Sequence, residues 1–450
     1  MRIARDYCGQ TRSNERGKDR RRGFGNTIGL TSLVCLLAFV RAAQGQTVPS
    51  GYQVQPVACG LSRPTTMSFL SANEFLVLEQ YSGNVKRVQL PGPLVTTVLT
   101  LPVVQESETG LLGITLHPQF QQNSFVYLYY TNPTPRENRI VRYTWDGTML
   151  TSPTTIATLP SLGSLHNGGI LLFGFDGKLY VVIGQQGSSL TTNSAASPLV
   201  TTAVILRLND DGTTPIDNPF SLPGWERFFA YGIRNCFGMA FDSLSGFLWI
   251  TQPGTVLNDE INLIPSGANS GWDRIQGNVA NDPEGTSDLY VVPGSQYVDP
   301  KYVTGGTPTS IRFLHSCRWP ASLRDDCYVG KYSGGYILQG IISSDRTVLF
   351  VLVVWGQNFG ITTDIQIGPD GYMYVVSLDQ GCVYRIRPIN PMGDLNLDGT
   401  VTMDDIPLFT HALLGEPLTR QLLAVADFDG DGSVTGMDIP CFVTSLQMPN

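Results

Sequence analysis

From residue 47 onward the chain repeats one pattern, a polar turn followed by a short apolar run rich in Val, Tyr, Phe and Leu. The runs include Phe75-Leu76-Val77-Leu78, Phe125-Val126-Tyr127-Leu128, Leu179-Tyr180-Val181-Val182, Phe247-Leu248-Trp249-Ile250, Tyr328-Val329 and Tyr372-Met373-Tyr374-Val375. β-Branched and aromatic residues suit half-buried strands, and Gly, Asn, Asp or Ser stands before each run. Long helical periodicity is scarce in this span. Six such units across residues 47–390 predict an all-β fold of radially arranged four-stranded sheets, a six-bladed β-propeller. The last run, residues 381–386, is expected to close the ring beside the first. A pair of β-sandwiches also explains many strands, but it explains the repeated turn-strand unit less well.

Residues 391–450 change character. Asp394, Asn396 and Asp398 occupy positions one, three and five of a twelve-residue loop, with Gly399 sixth, the Thr400 carbonyl seventh and Asp405 twelfth. Asp427, Asp429, Asp431, Ser433 and Asp438 repeat that spacing 33 residues later. Hard oxygen ligands at alternate positions wrap one cation, and the glycine permits the sharp turn. Each loop therefore reads as an EF-hand-type calcium site with Asp instead of Glu at position twelve. Each leads into a similar segment, Ile406-Pro407-Leu408-Phe409 and Ile439-Pro440-Cys441-Phe442, which predicts a small α-helical domain. The acidic loops repel themselves without metal, so calcium should drive folding there.

Charge and cysteines add compartment and partner. Residues 1–46 hold nine Lys or Arg against three Asp or Glu, while residues 391–450 hold one against nine. The net charge is −8, and an acidic chain argues against nucleic acid as a partner. The basic start, the apolar run from Ile28 to Val40 and the small-residue site Ala43-Gln44-Gly45 read as an export leader. Arg21-Arg22-Gly23-Phe24 also permits export after folding. No later stretch is long and apolar enough to span a membrane. A secreted or extracytoplasmic chain can form disulfides, and six cysteines follow the leader. Cys317 and Cys327 are close in sequence and are the expected pair. The expected domains are 1–46 (leader), 47–390 (propeller) and 391–450 (duplicated calcium-loop domain).

Candidate chemistry centres on His166-Asn167-Gly168-Gly169, because the chain has only four histidines and this one precedes a strand, a tight Asp176-Gly177 turn and a second strand. That places an imidazole at the mouth of a rigid hairpin. Other motifs accompany it. Glu108-Thr109-Gly110-Leu111-Leu112-Gly113-Ile114 leads to His117-Pro118-Gln119-Phe120. Arg234-Asn235-Cys236-Phe237-Gly238 comes next, and Asp259-Glu260-Ile261-Asn262 precedes Gly271-Trp272.

As an ordered set these motifs resemble the soluble glucose/sorbosone dehydrogenase family, sugar dehydrogenases that use pyrroloquinoline quinone, from about Leu61 to Pro388. The resemblance implies a six-bladed propeller and hydride transfer from a sugar hydroxyl carbon to the quinone. His166 matches the base that takes the hydroxyl proton. Arg234 and Asn235 match the pair near the quinone, with Arg234 stabilising charge that develops on it. Glu108 and Asn167 match substrate or cofactor contacts. A calcium ion on the quinone would take backbone carbonyls near Gly254 and Thr255, and Asp259 and Glu260 match a further calcium position. The family's clamping Lys and two Arg fall here at Ser333, Ile361 and Thr363, and its frequent acidic residue before the histidine is Leu165. Lys331 and Arg346 lie nearby in sequence. Either other residues supply the charge, or the propeller binds carbohydrate or protein without redox chemistry, as in proteins resembling Hedgehog-interacting protein. The last 60 residues resemble a dockerin, which implies two calcium ions and docking onto a cohesin-like protein. Dockerins often accompany polysaccharide hydrolases, but no carboxylate pair can be assigned by spacing.

Overall fold

The computed structural model describes residues 45–187, 193, 201–255 and 258–449. The expected export leader lies outside these residues. The strands form an all-β propeller, and a small helical region follows it. Among the described residues five sheets are four-stranded and antiparallel. The remaining sheet is mixed and six-stranded, because Ala268–Asn269 and Gln296–Tyr297 add in parallel beyond Phe228–Tyr231. The expected six equal units thus become five regular blades and one sheet of different form. The extra strands come from the long connection after Asp259–Leu263, which carries Gly and Pro rather than a strand-length apolar run.

The first strands of the sheets are Pro64–Ser71, Leu111–Leu116, Leu171–Phe173, Gly238–Phe241, Pro308–Phe313 and Thr362–Ile367. Each neighbours the next, and Thr362–Ile367 returns to Pro64–Ser71, so they surround a central channel. Apolar residues on facing sheets fill the space between blades. Tyr127 and Tyr129 of one sheet pack with Leu179, Val181 and Leu206 of the next, and all are fully buried. Each such aliphatic side chain contributes roughly 1.5–3 kcal/mol by leaving water.

Closure uses both ends of the propeller sequence. Tyr52–Cys59 pairs antiparallel with Cys382–Pro388, so the earliest strand completes the sheet begun by the latest ones. Cys59 lies opposite Cys382 in that register, and the two form a disulfide. The strand expected to close the ring does so.

A second tie joins neighbouring blades. His315 Nε2 lies 2.8 Å from Asp242 Oδ1, and its Nδ1 lies 2.8 Å from Asp325 Oδ1. Arg346 Nε donates to Asp242 Oδ2 at 2.8 Å, and Ser245 donates to the same oxygen at 2.6 Å. Arg346 therefore belongs to this network. Burial alone would lower the His315 pKa, but bonds to Asp242 and Asp325 outweigh it and raise the value.

The helical region contains Ile406–Leu413, Arg420–Ala426 and Ile439–Gln447. The first and third begin with Pro in the opening turn, where a missing N–H does no harm. Phe409 and Phe442 stack with centroids 3.9 Å apart at the centre of a small core that includes Met392, Leu395, Val425 and Phe428. This region is fastened to the propeller. Arg318 Nη2 donates to Met448 O, Arg324 Nη2 to Phe428 O and Arg387 Nη1 to Gly399 O, at 2.8–3.1 Å.

The expected Cys317–Cys327 disulfide is replaced by Cys317–Cys441. Strand register decides this. Cys327 pairs with Phe313 and Gly340 and points into a blade interior with Trp249 and Ile311, where it stays a free thiol. Cys317 lies beyond its strand, against the helix that carries Cys441. Cys236 is also free and buried.

The raised His315 pKa gives a signed expectation. A group whose folded pKa lies above its unfolded one stabilises below the unfolded value, and that contribution is lost as pH rises through the folded value. The facing charges are Asp242, Asp325 and Arg346. The thermal midpoint should therefore fall as pH rises above the ordinary histidine value of about 6.5, and His315→Gln should flatten that fall. Equal slopes in the two proteins would remove His315 from the tie.

Candidate active site

The residues immediately before the channel-lining strands gather at one end of the channel: Arg63 precedes Pro64–Ser71, Glu108 precedes Leu111–Leu116, His166 precedes Leu171–Phe173, Arg234 precedes Gly238–Phe241 and Thr307 precedes Pro308–Phe313. Because the strands run the same way around the ring, their leading turns share one face. A cavity of about 560 Å³ opens there, with Glu108, Gly168, Gln80, Tyr81 and Phe237 in its wall. That size is ordinary for a small-molecule site.

His166 sits in the left-handed region at φ 54°. This conformation disfavours residues with a Cβ. Glu108 Oε2 accepts the His166 backbone N–H at 2.7 Å and so holds the turn. The same oxygen accepts from Asn235 Nδ2 at 3.0 Å, and Asn235 Oδ1 accepts from Gly168 N at 3.2 Å. Gly168 (φ 64°) has no room for a larger residue, because a Cβ there would meet Val182 O at 2.5 Å. Behind the histidine, Asn167 is fully buried. Its carbonyl accepts from Tyr129 OH at 3.0 Å and its Oδ1 from Asn138 Nδ2 at 3.2 Å. Asn167 therefore shapes the turn from beneath and does not line the cavity.

The His166 ring is partly buried, and its Nδ1 lies 2.6 Å from the Gln185 amide. Gln185 Oε1 is buried without a partner when Nε2 faces the ring. This contact engages Nδ1, and the tautomer of the ring follows from which end of the amide faces it. Burial, reinforced by the Arg234 charge, lowers the His166 pKa to about 4. The imidazole is neutral at ordinary pH. Burial raises the Glu108 pKa despite the bonds from His166 and Asn235.

Arg234 is fixed from three sides. Its Nη1 donates to Pro253 O at 3.0 Å, its guanidinium lies 5.3 Å over the Trp272 ring, and its carbonyl accepts from Gln185 N at 2.9 Å. Its Nε is buried with no hydrogen-bond partner among the described residues. The structure thus brings Glu108, His166 and the adjacent pair Arg234 and Asn235 together from three strand-leading turns.

The expected propeller metal residues divide. Asp259 has both oxygens on backbone amides, Gly254 N and Thr307 N, each at 2.8 Å. Thr255 Oγ1 donates to Gln276 Oε1 at 2.9 Å. Glu260 is buried and bonded at Oε2 by the amides of Gln252 (2.8 Å) and Asn262 (2.9 Å), and at Oε1 by Gly277 N (2.7 Å). Gln252 Oε1 and Asn262 Oδ1 are buried without partners. Sequence reasoning overlooked Gln252 and Gln185, which lie at or just after the ends of strands Leu248–Gln252 and Leu179–Ile183, and gave Asn262 no role beyond its motif.

In the helical region Asp427, Asp429 and Asp431 converge, each offering an oxygen within 4.8 Å of the others. Asp427 accepts from the amides of Gly430, Asp431 and Gly432. Ser433 N donates to Asp431 at 2.8 Å. In the first loop Asp394 accepts from Asp398 N and Gly399 N, Asn396 Nδ2 donates to Asp398 at 2.9 Å, and Asp398 accepts from Thr400. The position-twelve residues, Asp405 and Asp438, are fully buried and accept three backbone amides each. They clamp the two ends of each loop together. Among the described residues no helix is long and apolar enough to cross a membrane.

The glucose/sorbosone dehydrogenase family model matches residues 61–385, and the dockerin type I domain model matches residues 392–441. Aldose sugar dehydrogenase YliI of Escherichia coli is 26% identical over 80% of this chain and 98% of its own. Quinoprotein glucose dehydrogenase B of Acinetobacter calcoaceticus is 29% identical over 56% of this chain and 60% of its own. A Thermus thermophilus glucose dehydrogenase structure superposes with TM-score 0.65 at 29% identity, covering 75% of this chain and all of that one.

The loop geometry predicts a metal requirement. Three carboxylates this close repel one another, so excess chelator should remove the far-ultraviolet helical signal of residues 391–450 and calcium should restore it. Asp429→Asn with Asp431→Asn should weaken the calcium response of the second loop. A helical signal that ignores chelator would rule out calcium as the organiser of this region.

Proposed function

The chain belongs to the glucose/sorbosone dehydrogenase family, and from that premise we propose that it is an exported dehydrogenase that oxidises a sugar hydroxyl with the help of bound pyrroloquinoline quinone. The observation that carries this reading is the neutral, partly buried His166, held by Glu108 beside the fixed cation Arg234. We read the six-stranded sheet as the sixth blade, since its first four strands follow the antiparallel order of the others. The proposed domains are a leader at 1–46, the propeller at 47–390 and the calcium module at 391–450. Two disulfides suit an oxidising compartment outside the cytoplasm.

The residues present fit the quinone. The unpartnered Arg234 Nε is a buried donor without an acceptor, and the cavity of about 560 Å³ walled by Glu108 and Gly168 is large enough for the group, although Arg234 and His166 themselves lie outside its wall. Arg234 and Asn235 would hold the quinone, which when bound supplies the two-electron acceptor for hydride. A calcium ion of the propeller would take the Glu260 carboxylate, and the two loops of the C-terminal module would take one ion each. The module, with its dockerin match, would dock onto a cohesin-like partner.

This chain's own residues then do the acid–base work. His166 Nε2 accepts the substrate hydroxyl proton, and the growing alkoxide character makes the carbon-bound hydrogen a better hydride. The Gln185 amide engages Nδ1, so Nε2 is the ring nitrogen left to face a substrate. Glu108 and Asn235 keep the histidine turn in its left-handed conformation. Arg234, held over Trp272, is an oriented positive charge that needs no reorganisation during reaction.

His166→Ala should lower kcat by about 10²–10⁴ and leave the thermal midpoint unchanged. The pKa lowered by burial and Arg234, with Glu108 the other charged neighbour, keeps the base neutral down to about pH 4. The acid limb of kcat/KM should therefore fall well below the ordinary histidine value near about 6.5. Unchanged turnover in His166→Ala, or an acid limb at the ordinary value, would take His166 out of this role.

A further inference from the structure

The family clamp positions in this chain carry no charge. Ile361 and Thr363 line the cavity, and Ser333 Oγ donates to Gly306 O at 3.2 Å. A ligand with several carboxylates needs cations in the wall, so their absence at these positions leaves the charge to be found elsewhere. Two other guanidiniums line the same cavity: Arg63 at its rim and Arg312 within the channel.

Arg312 lies on the channel-lining strand Pro308–Phe313. Its Nε donates to Ile365 O at 2.9 Å. Its Nη2 is 3.9 Å from Asp364 Oδ1, too far for a hydrogen bond. Asp364 is already engaged: Oδ2 accepts from Thr66 Oγ1 at 2.7 Å and Met67 N at 3.2 Å, and both oxygens accept from Gln366. The Nη groups of Arg312 make no hydrogen bond among the described residues. A guanidinium carries five donors and stays charged, so a cavity-lining one with a single bond is open to a carboxylate fork. Arg63 is exposed and already oriented. Its Nε donates to Gln80 Oε1 at 3.0 Å, and it lies 4.6 Å over the Tyr81 ring. Its two Nη groups are likewise without hydrogen bonds among the described residues.

We propose that Arg312 and Arg63 are the carboxylate clamp of this channel, gripping the inner and outer ends of a planar polycarboxylate that fills the cavity walled by Glu108 and Gly168. The proposal rests on the quinone reading above, and it moves the clamp from the last channel strand to the preceding one and to the rim. Lysine could not replace Arg312 fully, because the Nε bond to Ile365 O orients the fork and an ammonium has no equivalent.

The test is calorimetric titration of the full calcium-loaded protein with two probes, pyrroloquinoline quinone and the quinone-free benzene-1,3,5-tricarboxylate. Wild type should bind both. Arg312→Met should weaken both by about 10- to 100-fold, and the exposed Arg63→Ala by a smaller factor, with melting curves confirming that each variant is folded. Arg312→Met and Arg63→Ala that bind both probes like wild type would overturn the clamp and leave the quinone reading standing. Arg312-dependent binding of the tricarboxylate without any binding of the quinone would uphold the clamp and sink the quinone reading. Wild type that binds neither probe would overturn the clamp.

Discussion

Ring closure is the constraint on which the other features depend. A propeller blade cannot bury both faces alone, so each sheet relies on its two neighbours, and the series works only if the last meets the first. Here Tyr52–Cys59 completes the sheet that contains Cys382–Pro388, and the Cys59–Cys382 disulfide secures that pairing. Opening this seam would expose two apolar sheet faces, such as those bearing Val57, Phe75 and Tyr374. It would also release the channel strands from their common direction.

That common direction makes the site. Glu108, His166 and Arg234 lie far apart in sequence, yet each occupies the turn that leads into a channel strand. Closure brings these turns to one face. The wall around them is dense with backbone, so the histidine loses water and its charged form is disfavoured. The effect is a base kept neutral by burial, beside a cation kept charged by chemistry. Desolvation and the fixed Arg234 act on His166 in the same direction.

The calcium module is more than an appended tail. Its third helix carries Cys441, which is bonded covalently to the propeller, and Arg324 reaches both Cys441 Sγ and the Phe428 carbonyl. The second loop therefore sits against the propeller while exposed Met403 and Leu414 belong to the first repeat. Any folding energy that calcium contributes to the module is transmitted to a covalently joined neighbour.

Local sequence settled what local physics governs. Strand runs, the Asp176-Gly177 hairpin, the duplicated carboxylate spacing and the ordered motifs around His166 were all legible, because period, turn chemistry and ligand spacing act over a few residues. So were Glu108, Arg234 and Asn235, through the resemblance of their motifs. Long-range geometry decided the rest. Cys317 prefers Cys441 over nearby Cys327 because strand register turns Cys327 inward. The long connection after residue 263 adds strands to an earlier sheet, which no repeat period announces. Arg312 reaches the cavity wall shared with Glu108 and Gly168 only when closure of the ring brings separate sheets around one channel. Residues that meet across a channel leave no spacing in the chain, so their partnership becomes visible only in the folded ring.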